Sequence, residues 1–259
     1  MAAGDRHGPD WRDAAAYEPL LKADRSLFAW EWLRRNPGYR VAAERAFQAD
    51  RRRHSAEPRE APERWGLHAF EPPRLTAPEA RPVWRAEVHP YVLGVEAGPP
   101  DDEDGFDLAR FAAISTLVTA SDDREHLLIS DGLRAIRIDV LAGTIGAGSA
   151  ALRYRLEGLA SAERPVLTLR RLLALWRTGR FCRSLHPDEA RAKRWLLMLR
   201  AHDALTAGAN QRDIAAVLLS AEAGQPRWRS RSPCLRAQTQ RLVRGTRRMA
   251  SARYLELLR

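Results

Sequence analysis

The chain has 259 residues, of which 45% are hydrophobic and 29% charged, and a formal net charge of +10. This composition is typical of a globular protein and excludes a fibrous or wholly disordered chain. No run of about 18 apolar residues occurs, and the first residues lack a secretory signal, so we expect a cytoplasmic protein with no membrane partner.

The positive charge is concentrated in the C-terminal part of the chain. Residues 151–259 hold 23 basic and 8 acidic side chains, whereas residues 1–150 hold 20 and 25. A genomic bias can favour Arg over Lys, but it does not explain a deficit of acids. The C-terminal part therefore has the charge expected of a domain that binds a polyanion.

The N-terminal stretch is predicted to be helical. Leu27, Trp30 and Leu33 recur at helical spacing, and Ser26 precedes them as the expected N-cap. Asn36-Pro37-Gly38 is expected to end this helix, because proline and glycine both interrupt helices. A second short helix is expected to follow, from Tyr39 to about Ala49.

Phe28, Trp30 and Trp32 give this stretch a large share of aromatic side chains. One interpretation is that they form the core, because a small helical unit needs large side chains to bury enough area. The other is a protein-interaction surface for RNA polymerase, another regulator or a second copy of the chain. The sequence leaves both open.

The middle of the chain contains two segments of different composition. Residues 55–112 are rich in proline and are predicted to be an irregular connector, which packs through residues such as Trp65 and Trp84. Residues 113–158 then alternate apolar and polar side chains, which predicts a small antiparallel sheet. Its predicted strands are Ile114–Thr119, His126–Ser130, Ala135–Leu141 and Ala151–Glu157, with a hairpin turn at Asp131-Gly132.

The loop from Gly143 to Ser149 contains the letters GTIGAG. A phosphate-binding loop requires glycines in the dinucleotide order or a following Gly-Lys-Ser/Thr, and this loop has neither. We therefore predict an ordinary turn.

Helices are predicted to return from Pro165 onward. A second helix is expected to open at His186-Pro187-Asp188-Glu189, with acids near its positive end. The predicted buried stripes are Val166, Leu169, Leu173 and Trp176 on the first helix and Trp195, Leu196, Leu199 and Leu205 on the second.

The pattern after Gly208 is typical of a helix-turn-helix module. Asn210 can cap a short helix and Asp213 can return the hydrogen bond. The short helix is expected to be buried through Ile214, Val217 and Leu218, and a longer helix follows near residues 233–249. Its predicted core face consists of Leu235, Thr239, Leu242, Thr246 and Met249.

The opposite face of the longer helix is predicted to enter the major groove of DNA. No acid occurs from Arg227 to Arg253, and Arg and Gln can bond guanine and adenine edges respectively. The candidate base-edge residues are Arg236, Gln240, Arg241 and Arg244. The candidate phosphate contacts are Gln211, Arg212, Arg227, Arg229, Arg231, Arg247 and Arg248.

Several of these stretches resemble known families. Arg194-Trp195-Leu196, Gln211-Arg212-Asp213-Ile214-Ala215 and Arg241-Leu242-Val243-Arg244-Gly245 resemble the RovC-like DNA-binding domain family of proteobacteria. Asp10-Trp11-Arg12 and Trp30-Glu31-Trp32-Leu33-Arg34-Arg35-Asn36 are similar to the transcriptional-regulator-like domain found with it, as in FseA-type excision activators. The resemblance implies a transcriptional activator, often carried on integrative and conjugative elements.

One departure from the family pattern concerns the C-terminus. Family members commonly end in a Gly-Gly-Tyr-Arg turn, whereas this chain has Ser251-Ala252-Arg253-Tyr254. If that turn requires a left-handed glycine, either the terminal segment is shifted or the preceding helix runs on.

No enzyme class fits the sequence. A tyrosine recombinase with Tyr254 as nucleophile needs His-x-x-Arg, and no histidine has Arg three positions later. There is no GxSxG, and Cys182 and Cys234 have no obvious base. The histidines are scattered singly, so we predict no catalytic residue, no metal and no cofactor.

The sequence therefore predicts an α+β chain. The expected parts are a helical regulator-like domain (1–54), the connector (55–112), the sheet (113–158) and a C-terminal helical bundle with a helix-turn-helix (159–259). The predicted function is a sequence-specific regulator that binds double-stranded DNA as a homo-oligomer. The alternative is an interaction adaptor or RNA-binding factor whose basic face contacts an acidic partner or RNA; steep salt dependence would favour a nucleic acid.

Overall fold

The computed structural model describes residues 8–52, 61–100, 105–120, 122–225, 227, 232–251 and 253–259. Within these ranges the helices are α1 (Arg25–Leu33), α2 (Pro37–Arg52), α3 (Leu159–Thr178), α4 (Ala192–Thr206), α5 (Gln211–Leu218) and α6 (Pro233–Ala250). The strands are β1 (Val92–Gly98), β2 (Gly105–Phe106), β3 (Ser115–Thr119), β4 (Glu125–Ser130), β5 (Ala135–Ala142) and β6 (Ala150–Arg155). The mixture of helices and sheet confirms the α+β prediction.

The chain divides into two compact units. The helical unit consists of Met1–Arg40 and Asp188–Leu257, and the sheet unit of Val41–Pro187 and Leu258–Arg259. The first unit thus combines segments from both ends of the chain. No helix among the described residues is long and apolar enough to cross a membrane.

The sheet unit is built on six strands in the order β2-β6-β1-β5-β4-β3. The four strands predicted from alternation are present, with ends shifted by one or two residues. The connector, however, contributes β1 and β2, and β1 pairs parallel to β5 in an otherwise antiparallel sheet. Val92-Leu93-Gly94-Val95 is a central strand with little polar alternation, so periodicity alone did not reveal it.

The two predicted turns are both held by side chains. At Asp131-Gly132, the Asp131 carboxylate accepts the backbone N–H groups of Leu133 and Arg134, and Gly132 has a positive φ of 91°. A Cβ at Gly132 would lie 2.4 Å from the carbonyl oxygen of Pro78, so only glycine fits there.

The GTIGAG loop is anchored by Glu125. Its carboxylate accepts the Thr144 hydroxyl at 2.5 Å, the Ile145 N–H at 2.7 Å and the Gly146 N–H at 3.3 Å. The amide groups that would cradle a phosphate are therefore already bound to an anion. The loop is structural, as the spacing of its glycines predicts.

Helix α3 begins earlier and faces the sheet differently from the prediction. It starts at Leu159, with Pro165 inside it, rather than at Pro165. Leu172 and Leu175 are buried in the core of the sheet unit, while Val166 and Leu173 are 36% and 42% exposed. The predicted stripe was wrong at these two positions, because two apolar faces run along α3 and the sheet covers the one that carries Leu172.

Two histidines of the sheet unit are held in their neutral form. Burial, followed by the nearby charges of Arg171 and Arg134, lowers the pKa of His186 to about 3. Burial, together with His126 and Arg137, lowers the pKa of His68 to about 4. The Nε2 atoms of both rings are buried without a hydrogen-bond partner among the described residues.

We predict that the sheet unit loses stability as the pH falls from about 6.5 toward 4. Histidine in the unfolded chain has a pKa of about 6.5, so in this range unfolding takes up protons that the folded state does not bind. His186→Phe should reduce this loss, since phenylalanine does not titrate. Urea unfolding at several pH values measures the effect, and equal pH dependence in both proteins would contradict it.

The helical unit begins with a capped α1. The Asp24 carboxylate accepts the backbone N–H groups of Ser26 and Leu27, so Asp24 is the N-cap and the prediction of Ser26 was wrong by two residues. The Ser26 hydroxyl donates to the same carboxylate at 2.5 Å. Helix α1 ends at Leu33, before the predicted stop at Asn36-Pro37-Gly38. Asn36 accepts the N–H of Gly38, and α2 begins at Pro37, two residues earlier than predicted.

Helix α4 also begins later than predicted. Its first residue is Ala192, whereas His186-Pro187-Asp188-Glu189 precedes the helix. Glu189 instead receives a hydrogen bond from Arg25 at 2.8 Å. The predicted apolar residues Leu196 and Leu199 are buried in α4, and Trp195 packs edge-on against Phe28 with ring centroids 5.1 Å apart.

A buried charge network joins the N-terminal segment to α4. Arg35 donates two hydrogen bonds to the Asp203 carboxylate, at 2.7 and 2.8 Å, and it also pairs with Glu31. The Tyr17 hydroxyl donates to Asp203 at 2.6 Å. Burial opposes ionisation of Asp203, but Arg35 holds its pKa below the usual value. The carboxylate is therefore charged and paired inside the unit.

We predict that Asp203→Ala destabilises the helical unit by about 3–5 kcal/mol, because it leaves the buried Arg35 without one of its two carboxylates. Glu256→Ala is the matched control. Glu256 pairs with Arg253 at 3.6 Å on the surface and should cost less than about 1 kcal/mol. Urea unfolding followed by tryptophan fluorescence measures both, and similar losses in the two variants would contradict the prediction.

Candidate nucleic-acid interface

Helices α4, α5 and α6 pack together in the helical unit. Residues 207–210 connect α4 to α5, and Gly208 has a positive φ of 79°. Asn210 and Asp213 form the predicted capping box at the start of α5. Residues 219–232 lie between α5 and α6 in the sequence, and the structure describes 219–225, 227 and 232 of them. This separation is longer than the three or four residues of a simple helix-turn-helix turn.

Helix α6 packs on α4 and α5 through one face. Ile214 and Val243 share a core cluster with Trp11, and Leu235 shares another with Ala215. Thr239 and Thr246 are buried as predicted, whereas Leu242 and Met249 are only half-buried. Val243 therefore occupies the core position that the helical spacing had predicted for Leu242. On α5, the prediction of a buried Val217 was wrong, because this side chain is 42% exposed.

Two close contacts set the position of α6 against α4. The Thr246 hydroxyl donates to the carbonyl of Met198 at 3.3 Å. A Cβ at Gly245 would lie 3.1 Å from the Met198 methyl group, so glycine permits the near approach of the two helices. The buried face of α6 is thereby settled, and the rest of the helix faces outward.

The outward face of α6 is basic. Six exposed residues share this face: Arg236, Gln240, Arg241, Arg244, Arg247 and Arg248. At about 100° per residue they cover an arc of about 140°. None of them forms an ion pair with a residue that the structure describes. The helix thus offers five guanidinium groups to an external partner.

A cleft of about 460 Å³ lies beside this face. Gln211, at the first turn of α5, is part of its lining, and the other lining residues are Gln240, Val243, Arg244, Arg247, Arg248 and Ser251. The first turn of a helix carries partial positive charge, which adds to the field of the three arginines. The cleft therefore suits an oxyanion such as a phosphate.

The remaining predicted phosphate contacts differ in their surroundings. The Arg212 guanidinium donates to the carbonyl of Gly224, so it also holds the turn after α5. Arg227 is exposed and has a positive φ of 57°. Arg229 and Arg231 lie outside the described residues, as does Trp228.

The residues after α6 stand where the family has its Gly-Gly-Tyr-Arg turn. Helix α6 ends at Ala250, and Ser251 has a φ of −87°, so the backbone is not left-handed there. Ala252 lies outside the described residues. Tyr254 and Leu257 are nevertheless buried, at 3% and 8% exposure.

The aromatic residues of α1 are core residues. Phe28 and Trp30 are fully buried and Trp32 is 3% exposed, so they offer no surface to a partner in this fold. Trp30 packs edge-on against Tyr39, and Trp32 lies against His202. Of the two interpretations, the structure corresponds to the first, because the small unit needs these side chains to fill its interior.

One group of possible metal ligands occurs among the described residues, and it comprises His68, His126 and Asp139. The two imidazole rings stack with centroids 3.4 Å apart and an interplanar angle of 20°, so their in-plane lone pairs do not converge on one point. The Asp139 carboxylate already contacts His126 Nδ1 at 2.7 Å and Arg137 at 2.9 Å. The arrangement is that of a buried ion pair rather than a metal site.

The sequence analysis missed the residues that hold the interface in place. Glu31, Arg34 and Arg35 have the three- and four-residue spacing of helical ion pairs, which was an available signal. Asp203 stands within the apolar residues of α4, which was another. Ser251, at the edge of the cleft, had no distinguishing signal.

A basic helix without acids, packed on two other helices, is the arrangement expected of a nucleic-acid-binding domain. The comparisons agree: residues 157–259 match the family model described as a T6SS transcription factor DNA-binding domain, of the RovC type. Residues 10–68 match a proteobacterial transcriptional regulator-like domain. A search of curated proteins found no match. The two family matches support a DNA-binding transcriptional regulator and indicate regulatory rather than enzymatic domains.

We predict that Asn210→Ala lowers the stability of the helical unit by about 1 kcal/mol, because it removes the side-chain oxygen that accepts the N–H groups of Arg212 and Asp213. Asn210→Ser should retain most of the stability, since serine caps helices almost as well. Chemical unfolding of both variants measures the difference. An Asn210→Ala variant as stable as the wild type would mean that the cap contributes nothing.

Proposed function

We propose that this protein is a sequence-specific transcriptional regulator that places α6 in the major groove of duplex DNA. The observation that carries the proposal is the exposed face of α6, which presents five arginines and a glutamine without an acid. A helix of 18 residues is about 27 Å long, enough to cross the groove. The longer α5–α6 connection leaves the helix-turn-helix assignment a prediction.

Base recognition is assigned to the residues along the outer face of α6. Arg236, Arg241 and Arg244 have the donors for the O6 and N7 acceptors of guanine. Gln240 can bond the N6 and N7 of adenine. These are the side chains through which the protein would distinguish one DNA sequence from another.

Phosphate binding is assigned to the cleft and its surroundings. Arg247 and Arg248 line the cleft with Gln211, and this position beside the base-reading face suits a DNA backbone that follows the groove. The other assigned contacts are Arg212, Arg227, Arg229 and Arg231. They would hold the DNA in register without reading its sequence.

Two classes of target gene are proposed for this regulator. The C-terminal family is described as a T6SS transcription factor domain, so secretion genes are one target class. Genes for excision or transfer of a mobile element are the other. In either case we propose an activator, which works as a homo-oligomer and contacts RNA polymerase or another regulator.

We predict that Arg241→Ala weakens binding to the cognate DNA by about 1–3 kcal/mol and relaxes the preference for it. Arg248→Ala should instead weaken binding to all sequences alike and reduce the slope of log K against log salt by about 1. Fluorescence anisotropy measures both, with the DNA upstream of the protein's own gene, a scrambled duplex and a salt series.

The matched control is Arg180→Ala, which removes an exposed arginine from the sheet unit. It should leave both the affinity and the salt slope unchanged. Equal losses for Arg241→Ala on cognate and scrambled DNA would make Arg241 a phosphate contact. A wild-type protein that binds single-stranded RNA or an acidic protein more tightly than any duplex would overturn the proposal.

A further inference from the structure

The outer face of α3 carries apolar side chains that no described residue covers. Leu159, Val166 and Leu173 are 100%, 36% and 42% exposed. They follow one another at intervals of seven residues, so they form a single stripe about 21 Å long. The opposite face of α3 is already buried against the sheet through Leu172 and Leu175. The stripe is therefore a second apolar face of the same helix.

Two opposite charges accompany this stripe. Glu163 and Arg170 are exposed, and neither forms an ion pair with a described residue. Along the helix, no opposite charge stands three or four residues from either of them. The acid lies before Val166 and the base after it. The stripe thus has a negative half and a positive half.

This pattern is complementary to itself. If two copies of α3 lie antiparallel with Val166 facing the partner's Val166, Leu159 faces the partner's Leu173. In the same arrangement Glu163 lies beside the partner's Arg170, and this contact occurs twice. In a parallel arrangement each residue lies beside the same residue of the other copy. Glu163 is then distant from the partner's Arg170, and the contacts between opposite charges are lost.

We propose that the stripe of α3 is an interface between two copies of this protein, which pair antiparallel about Val166. A two-fold interface requires a surface that is complementary to itself, and both the apolar and the charged residues of the stripe meet this requirement. The proposal is independent of DNA binding, because none of its residues belongs to α6. It has a consequence for DNA recognition: a dimer carries two α6 helices, as regulators that read two half-sites do.

The test uses charge reversal at the stripe in the full-length protein. Glu163→Arg alone places Arg beside the partner's Arg170, and Arg170→Glu alone places Glu beside the partner's Glu163. Each variant should dimerise about 10-fold or more weakly than the wild type. An equimolar mixture of the two variants should associate again, because both contacts then join opposite charges.

Sedimentation velocity over a range of protein concentrations, without DNA, gives the association constants. Arg180→Glu is the matched control, since it reverses an exposed charge beyond the end of α3 and should leave dimerisation unchanged. Circular dichroism should be the same for all variants, because the changed side chains are exposed. The unfolding midpoints should also agree when they are measured at concentrations where every protein is monomeric, since dimerisation itself raises the midpoint.

Three results would overturn the proposal. The first is a wild-type protein that is monomeric at every concentration measured. The second is dimerisation that neither charge reversal weakens, which would place the interface elsewhere. The third is a mixture of the two variants that fails to associate, which would exclude the antiparallel arrangement. Loss of DNA binding by itself bears only on the function of α6.

Discussion

The helical unit depends on one buried guanidinium group. Arg35 has two carboxylate partners, Glu31 on its own segment and Asp203 on α4, and its side chain is 4% exposed. A charge at this depth is tolerated only while it is paired, so the N-terminal segment must stay against α4. Arg200 adds to the attachment, because its guanidinium donates to the backbone carbonyls of Trp11 and Arg12.

This attachment has a consequence for the basic face. Helix α6 rests on α4 through Thr246 and Gly245, and Trp11 shares the core cluster of Ile214 and Val243. The N-terminal segment is thus part of the support of α6 rather than a separate module. The two family matches, residues 10–68 and 157–259, contribute to one compact unit through residues 10–40 and 188–257.

Sequence patterns predicted local structure better than they predicted burial. The Asn210 cap and the Asp131-Gly132 turn depend on neighbours within a few residues, and both are present. The predicted buried faces of α3 and α6 were only partly correct. When a helix carries apolar residues on more than one face, its sequence does not indicate which face packs against the core. Strand β1 was missed because its partners β5 and β6 are distant in the chain, and its apolar run lacks alternation.

The sequence by itself determined the charge of the candidate interface. The acid-free run of arginines in α6 is a property of composition, and the amphipathic spacing separates it from the core face. Only the tertiary structure decided three other features: the Arg35–Asp203 pair, the cleft beside Gln211 and the uncovered stripe on α3. The pair and the cleft join residues far apart in the chain, and the stripe depends on which face of α3 the sheet covers. All three arise from packing, which short-range periodicity does not encode.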